Sequence, residues 1–255
     1  MMQAFDLTGK RALVTGAARG LGHAIALALA EAGADVALGL RDRASGGDIE
    51  SRIKALGRRA LPLQMDVTNL PQCYEAIDGA ITAFGGIDIL VNNAGGGAPS
   101  TRLEDVTEAG FDALLDFNVK SSFFIAQRVA RHMIAQGGGR IVNMSSQAGF
   151  VALPGEGVYC LAKAAVAHMT KCMAVEWGHA GINVNAVAPT FIKTDGTAAM
   201  LSDPGFHAEV VDRIAALHRI GAPDEVSGAV VFLASPAASM VTGQTLLIDG
   251  GWTSR

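Results

Sequence analysis

The chain has 255 residues, half of them hydrophobic, and a formal net charge of −4. That length suits one sizeable core and a single domain over residues 1–255. No uninterrupted apolar run reaches the roughly 18 residues that would cross a membrane, and with no basic cluster longer than Arg58-Arg59 there is no positive face broad enough for nucleic acid.

Residues 11–15 read as a short apolar strand that runs straight into Thr15-Gly16-Ala17-Ala18-Arg19-Gly20-Leu21-Gly22, and a helical pattern over 21–32 follows at once. Glycines permit a tight turn and a close backbone approach to a pyrophosphate, while free N–H groups at the helix start attract its charge. Strand before and helix after make a dinucleotide site a better reading than a mere turn, with Gly16, Arg19, Gly20, Leu21 and Gly22 as contacts. The second strand, 36–40, leads into Gly39-Leu40-Arg41. A carboxylate at that tip would bond both ribose hydroxyls and repel a 2′-phosphate. Here Arg41 stands at the tip and Asp42 follows, so Arg41 and Arg19 together could clamp the phosphate. NADP is favoured; NAD is the alternative if Asp42 reaches the ribose.

Helix 45–56, strand 60–64, helix 70–84, strand 87–91, helix 108–136, strand 140–143, helix 158–178, strand 183–187, helix 223–234 and strand 245–248 complete the pattern. Short, continuously apolar strands joined by helix-length crossovers are expected of a parallel sheet covered on both faces. The fold class is therefore α/β, a single-domain doubly wound (Rossmann) fold with about seven parallel strands. Residues from about 190 to 218 interrupt the alternation with Thr194-Asp195-Gly196 and Asp203-Pro204-Gly205. They predict a partly helical excursion that either covers a substrate or is a surface insertion.

Within helix 158–178, Tyr159 and Lys163 stand four residues apart and so share a face. An ammonium beside a phenol, whose free pKa is about 10, favours the phenolate and makes a proton carrier for neutral pH. Tyr-x-x-x-Lys alone is more often an amphipathic surface pair. Ser145-Ser146 upstream and the glycine turn tip the reading to an oxidoreductase. The cysteines, Cys73, Cys160 and Cys172, and the six histidines match neither a disulfide framework nor a metal site, so no metal is expected and a reducing cytoplasm is the expected compartment. The first ten residues lack a secretory pattern, and export is not expected.

Taken in order, Thr15-Gly16-x-x-x-Gly20-x-Gly22, Asp66-Val67, Asn92-Asn93-Ala94-Gly95, Asn118, Ser146, Tyr159-x-x-x-Lys163 and Pro189 resemble the short-chain dehydrogenase/reductase family in its short single-domain form, across nearly the whole chain. The resemblance implies Asp66 and Val67 at the adenine ring, Asn92 on the adenosine side, and Ala94 and Gly95 along the cofactor. It places Tyr159 and Lys163 at the nicotinamide ribose, and Pro189, Ile192 and Thr194 at the carboxamide end. The catalytic set it implies is Asn118, Ser146, Tyr159 and Lys163. Tyr159 would exchange the proton and Ser146, second of the serine pair, would hold the substrate oxygen. Lys163 would lower the phenol and grip the ribose, and Asn118 would hold a water that links Lys163 to solvent. Asn118 bonded only to nearby backbone is the alternative. Thr190 replaces the glycine that many members carry after Pro189.

The reaction implied is hydride transfer between a nicotinamide and a secondary alcohol or ketone. The pocket is expected between 96–100, 147–157 and the excursion. Gln147, Glu156, Lys193 and His207 suit a sugar or polyol, whereas Phe150, Val151, Leu153 and Phe191 suit an apolar ketone. A 3-oxoacyl thioester reductase is an alternative, and a dinucleotide-binding redox sensor without turnover is one of another class. Surplus apolar residues on 108–136 and 158–178, among them Phe123, Phe124, Ile125, Met169, Met173 and Trp177, point to self-association. The resemblance implies a homotetramer, with Trp252 near its second contact.

Overall fold

In the computed structural model, which describes residues 3–254, all seven strands lie parallel in one sheet of order β3-β2-β1-β4-β5-β6-β7. Residues 1, 2 and 255 of the expected span lie outside the described residues. The strands are β1 Arg11–Thr15, β2 Asp35–Leu40, β3 Ala60–Gln64, β4 Ile89–Asn92, β5 Gly139–Met144, β6 Ile182–Pro189 and β7 Thr245–Ile248. The helices are α1 Gly20–Glu31, α2 Gly47–Ala55, α3 Leu70–Phe84, α4 Glu108–Leu115, α5 Ser121–Gln136, α6 Gly157–Trp177, α7 Asp195–Leu201, α8 Pro204–Arg213 and α9 Pro223–Ala234.

Each face of the sheet has its own core. Ile25, Leu29, Val36, Leu38, Val142, Val230 and Leu233 pack α1, α2 and α9 onto one face. Leu13, Ile77, Leu90, Ile125, Val129, Met133, Ile141 and Met173 pack α3, α5 and α6 onto the other. Burial on both faces is why these strands read as continuous apolar runs. Chain order reverses between β1 and β4, so the loops after those strands diverge to opposite faces and leave a crevice at the carboxyl edge.

Two expectations change. The single helix predicted for 108–136 is broken at Asp116–Lys120, where the chain makes a π-helical turn between α4 and α5. Nor are the apolar residues expected to be surplus on 108–136 and 158–178 all so: Ile125 of α5 and Met173 of α6 are part of the core, and Met169 and Trp177 of α6 pack against it. Phe123 remains exposed.

The excursion after β6 is helical, as α7 and α8, and has a small core of its own. Phe191 stacks on Trp252 at 5.7 Å and meets Phe206 edge-on at 5.6 Å, with Val151, Leu153, Val210, Ile214 and Ile220 around them. The turn after β7 is tied to it, because Ala216 and Leu217 N–H both donate to the Gly250 carbonyl at 3.1 Å. Trp252 thus holds the excursion down within its own chain. No described helix is long and apolar enough to cross a membrane.

Candidate active site

β1 delivers Thr15 to the crevice, and its Oγ1 accepts the N–H groups of both Asn93 and Ala94 at 3.0 Å. The Asn93 amide donates back to the Thr15 and Gly16 carbonyls at 2.9 and 3.3 Å. These bonds lock the glycine turn to the end of β4. Gly16 and Gly20 hold φ of +67° and +58°, which favour glycine, and a Cβ on Gly22 would run into the Gly16 carbonyl. The first turn of α1 has neither a side-chain cap nor an acidic residue, so among the described residues no side chain takes its leading N–H groups. A cradle that a side chain would fill, with free N–H donors at its floor, fits the pyrophosphate of a dinucleotide.

β2 adjoins this turn, for Gly16 and Ala17 N–H both donate to the Gly39 carbonyl. Arg41, one residue beyond the strand, and Arg19 of the turn are exposed, and neither makes an ion pair among the described residues. Asp42 is otherwise occupied: its Oδ1 accepts Ala44 N–H at 3.0 Å and caps a short turn. Asp66 holds Thr68 through one carboxylate oxygen. Val67 lines a cleft with Leu70, Pro71 and Ser121. Leu21 packs partly into the core, and Ala94 sits over the opposite one.

Asn92 differs from expectation. Its amide is buried and donates inward, to the Ser122 carbonyl at 3.1 Å and Asn143 Oδ1 at 3.0 Å. The alternation of side chains along β4 turns Asn92 toward α5, and the residue that reaches the glycine turn is Asn93.

β5 ends in Ser145-Ser146, and the two hydroxyls part company. Ser145 Oγ donates to the Lys163 carbonyl at 2.8 Å and so fastens α6 to the sheet. Ser146 Oγ donates to Gln147 Oε1 at 2.7 Å, lies 3.4 Å from the Pro189 carbonyl, accepts Ala148 N–H, and is near enough to the Tyr159 phenol to pull its pKa down. Lys163 Nζ is buried, donates to the Met144 carbonyl at 3.1 Å, and lies 5.6 Å from the centre of the Tyr159 ring. Asn118, in the π turn, clasps the Gly96 peptide both ways: Oδ1 accepts Gly96 N–H at 3.0 Å, and Nδ2 donates to the Gly96 and Leu114 carbonyls at 2.9 and 3.0 Å. Gly95 lies between, since a Cβ there would stand 2.8 Å from Asn118 Oδ1 and 3.1 Å from Lys163 Nζ.

Asn118, Ser146, Tyr159 and Lys163 therefore meet at the carboxyl ends of β4 and β5. Across the crevice, Thr194 lies against the glycine turn, with its Cβ 3.6 Å from where a Cβ on Gly20 would be. The Ile192 side chain goes into the core, leaving its backbone at the crevice. Thr190 Oγ1 is buried without a partner among the described residues.

The electrostatics differ from the i,i+4 expectation. Burial pushes the Tyr159 phenol up to about 12; the Ser146 hydroxyl pulls against this, and Glu156 adds to the rise. Burial also pushes the Lys163 ammonium down to about 8. In the chain by itself, desolvation outweighs the attraction of the pair. Sequence spacing signalled the neighbours and not the walls. Thr15 and Asn93 were the polar residues missing from the predicted contact set, whereas Gln147 was expected in the pocket wall; for Asn93 the signal was strand alternation, which turns one of two adjacent asparagines inward.

A family model described as enoyl-(acyl carrier protein) reductase matches residues 16–253. The chain is 42% identical to a 2-dehydro-3-deoxy-D-gluconate 5-dehydrogenase of Escherichia coli (strain K12), over all of both chains. It is 41% identical to an NAD-dependent glycerol dehydrogenase of Listeria innocua, over 98% of this chain and 96% of that one. A crystal structure of a gluconate 5-dehydrogenase from Burkholderia cenocepacia in complex with NADP and tartrate superposes with a TM-score of 0.94 at 39% identity, covering 99% and 98% of the two chains.

A buried lysine carries a signed consequence. Its folded pKa, about 8, lies below the unfolded value near 10.5, so between those values the unfolded chain binds the extra proton and stability rises with pH. Urea unfolding at pH 8 and pH 10 should show this rise in the native protein relative to Lys163→Met; equal pH dependence in the two would remove the buried charge.

Proposed function

We propose that this chain, which belongs to the short-chain dehydrogenase/reductase family, interconverts a sugar or polyol alcohol with its ketone, using NADP in preference to NAD. The observation that carries the proposal is the convergence of the Ser146 hydroxyl, the Tyr159 phenol and the buried Lys163 amine, 5.6 Å from the Tyr159 ring centre, at the edge of a dinucleotide cradle. In oxidation, Tyr159 takes the proton of the substrate hydroxyl, and Ser146, whose single proton rotates between Gln147 and the substrate oxygen, holds that oxygen in place. A nicotinamide cofactor held by the glycine turn and Lys163 would supply the hydride acceptor and, in its oxidised form, a positive charge. Lys163 sits beneath the ring to hold the ribose. Asn118 acts as a positioning residue: its amide is spent on the Gly96 peptide and on Leu114, which fixes the segment that faces Lys163.

The polyol reading gains from the fate of the apolar candidates. Val151, Leu153 and Phe191 pack into the small core around Trp252, while Phe150 is exposed. Gln147 and Glu156 are left as the polar side chains of the 147–157 segment near Ser146 and Tyr159. Relatives named for sugar acids, glycerol and threitol support the same class and make a 3-oxoacyl thioester reductase less favoured. A redox sensor without turnover would need none of the proton-transfer set.

The Arg19 and Arg41 guanidinium groups, unpaired among the described residues and next to the glycine turn and the end of β2, support NADP. We further infer that residues 1–255 act as one unit and that the protein works in the cytoplasm, which its free thiols suit. Exposed Phe123 and Leu161 on α5 and α6, with Leu246 and Leu247 on the edge strand β7, support a homotetramer.

Three outcomes are expected. Tyr159→Phe should lower kcat by about 10²–10⁴-fold with the cofactor still bound, read by hydride transfer and cofactor fluorescence; an active variant would end the proton-carrier role. Replacing Arg19 and Arg41 by alanine should weaken NADP binding by about tenfold or more and leave NAD nearly unchanged. Light scattering at micromolar concentration should give four times the 26.2 kDa chain mass.

A further inference from the structure

One carboxyl in the crevice has no work in the fold. Glu156 precedes α6, yet its side chain makes no capping bond to the helix. Every other carboxylate that is not exposed has a partner: Asp35 holds Arg59, Glu50 holds Lys54, Asp66 holds Thr68, Asp88 holds Arg11 and Asp249 holds Thr253. The Glu156 carboxylate, unlike its backbone, has neither a hydrogen bond nor an ion pair among the described residues, and burial raises its pKa. Its place is specific. Glu156 Oε2 would stand 3.5 Å from a Cβ on Gly97, in the segment after β4 that Asn118 fixes, and its charge acts on Tyr159. It therefore lies between the two walls of the substrate side, 95–97 and the start of α6. The buried cation of this crevice, Lys163, is turned onto the Met144 carbonyl and does not neutralise it.

A half-buried carboxylate that bonds nothing in the protein is free to accept from a donor on a bound ligand. Hydroxyl donors give charge-assisted hydrogen bonds, whereas a second carboxylate at that distance is repelled.

We infer that Glu156 is a specificity-determining residue that accepts a hydrogen bond from a hydroxyl next to the reacting carbinol and so selects a neutral polyol over a sugar acid. The inference rests on the polyol reading above and narrows it, since the relatives divide between the two kinds of substrate. The residue touches substrate without taking part in proton or hydride transfer, so its removal belongs in KM more than in kcat.

The test compares kcat/KM for glycerol and threitol with that for gluconate, with both NADP and NAD, in the native enzyme and in E156Q and E156D. The native enzyme should favour the neutral polyols by about tenfold or more. E156Q should shrink that preference by about tenfold, through a higher KM for polyol and a lower KM for gluconate, and E156D should keep the preference. Gluconate used as well as the polyols by the native enzyme, or E156Q slowing all three alike, would overturn the inference while leaving the oxidoreductase reading intact. The native ranking stands even if a variant folds poorly. Failure to transfer hydride with any of the three substrates under either cofactor would overturn the polyol reading itself, and this inference with it.

Discussion

The site depends on one clasp, the two-way hydrogen bonding between the Asn118 amide and the Gly96 peptide, closed over Lys163. It joins the end of β4 to the π turn, and Gly95 makes it possible by having no side chain to part Asn118 from the lysine. The π turn serves the clasp directly. Widening the helix at Asp116–Lys120 aims Asn118 across at the loop after β4, and its Nδ2 also donates to the Leu114 carbonyl one turn back. With both amide functions engaged on backbone, Asn118 is a structural pin, and the segment it pins is a wall of the crevice.

Behind the clasp runs a line of buried amides. Thr170 Oγ1 on α6 accepts from Asn143 on β5, whose Oδ1 accepts from Asn92 on β4; Asn92 also donates to Ser122 on α5, and the Ser122 hydroxyl donates to the Asn118 carbonyl. Four elements that carry or support the proton-transfer set are thus bonded through their polar interiors as well as packed. In a low-dielectric interior such bonds strengthen one another and hold one arrangement. This is a physical reason for Asn92 to face the core.

The architecture was legible because its strands are buried on both faces, and Leu13, Leu38, Leu90 and Ile141 write that burial as apolar runs. The break at Asp116–Lys120 was not: Asp116-Phe117-Asn118-Val119-Lys120 contains neither glycine nor proline, and a π turn leaves no local signature when its cause is a partner, Gly96, in another loop. Tyr159, Lys163 and Ser146 could be picked out by spacing, since helix periodicity fixes which neighbours share a face. Their protonation could not. Desolvation is a property of what encloses the pair, and the walls come from 95–97, from Ser146-Gln147 and from the start of α6, far apart in sequence.

That enclosure sets the charge logic of the crevice. Burial drives phenol and ammonium both toward their neutral forms, so forming a phenolate there needs positive charge close by, and each added negative charge works against it. Glu156 already pushes the phenol the wrong way. A substrate that brought its own carboxylate would push it further and meet repulsion from Glu156 as well, whereas a polyol brings hydroxyl donors that satisfy the carboxylate and spread its charge. On the proposed reading, the carboxyl that opposes proton removal in the isolated chain would be relieved by the ligand whose proton is to be removed, which would make substrate fit and proton transfer parts of one electrostatic problem.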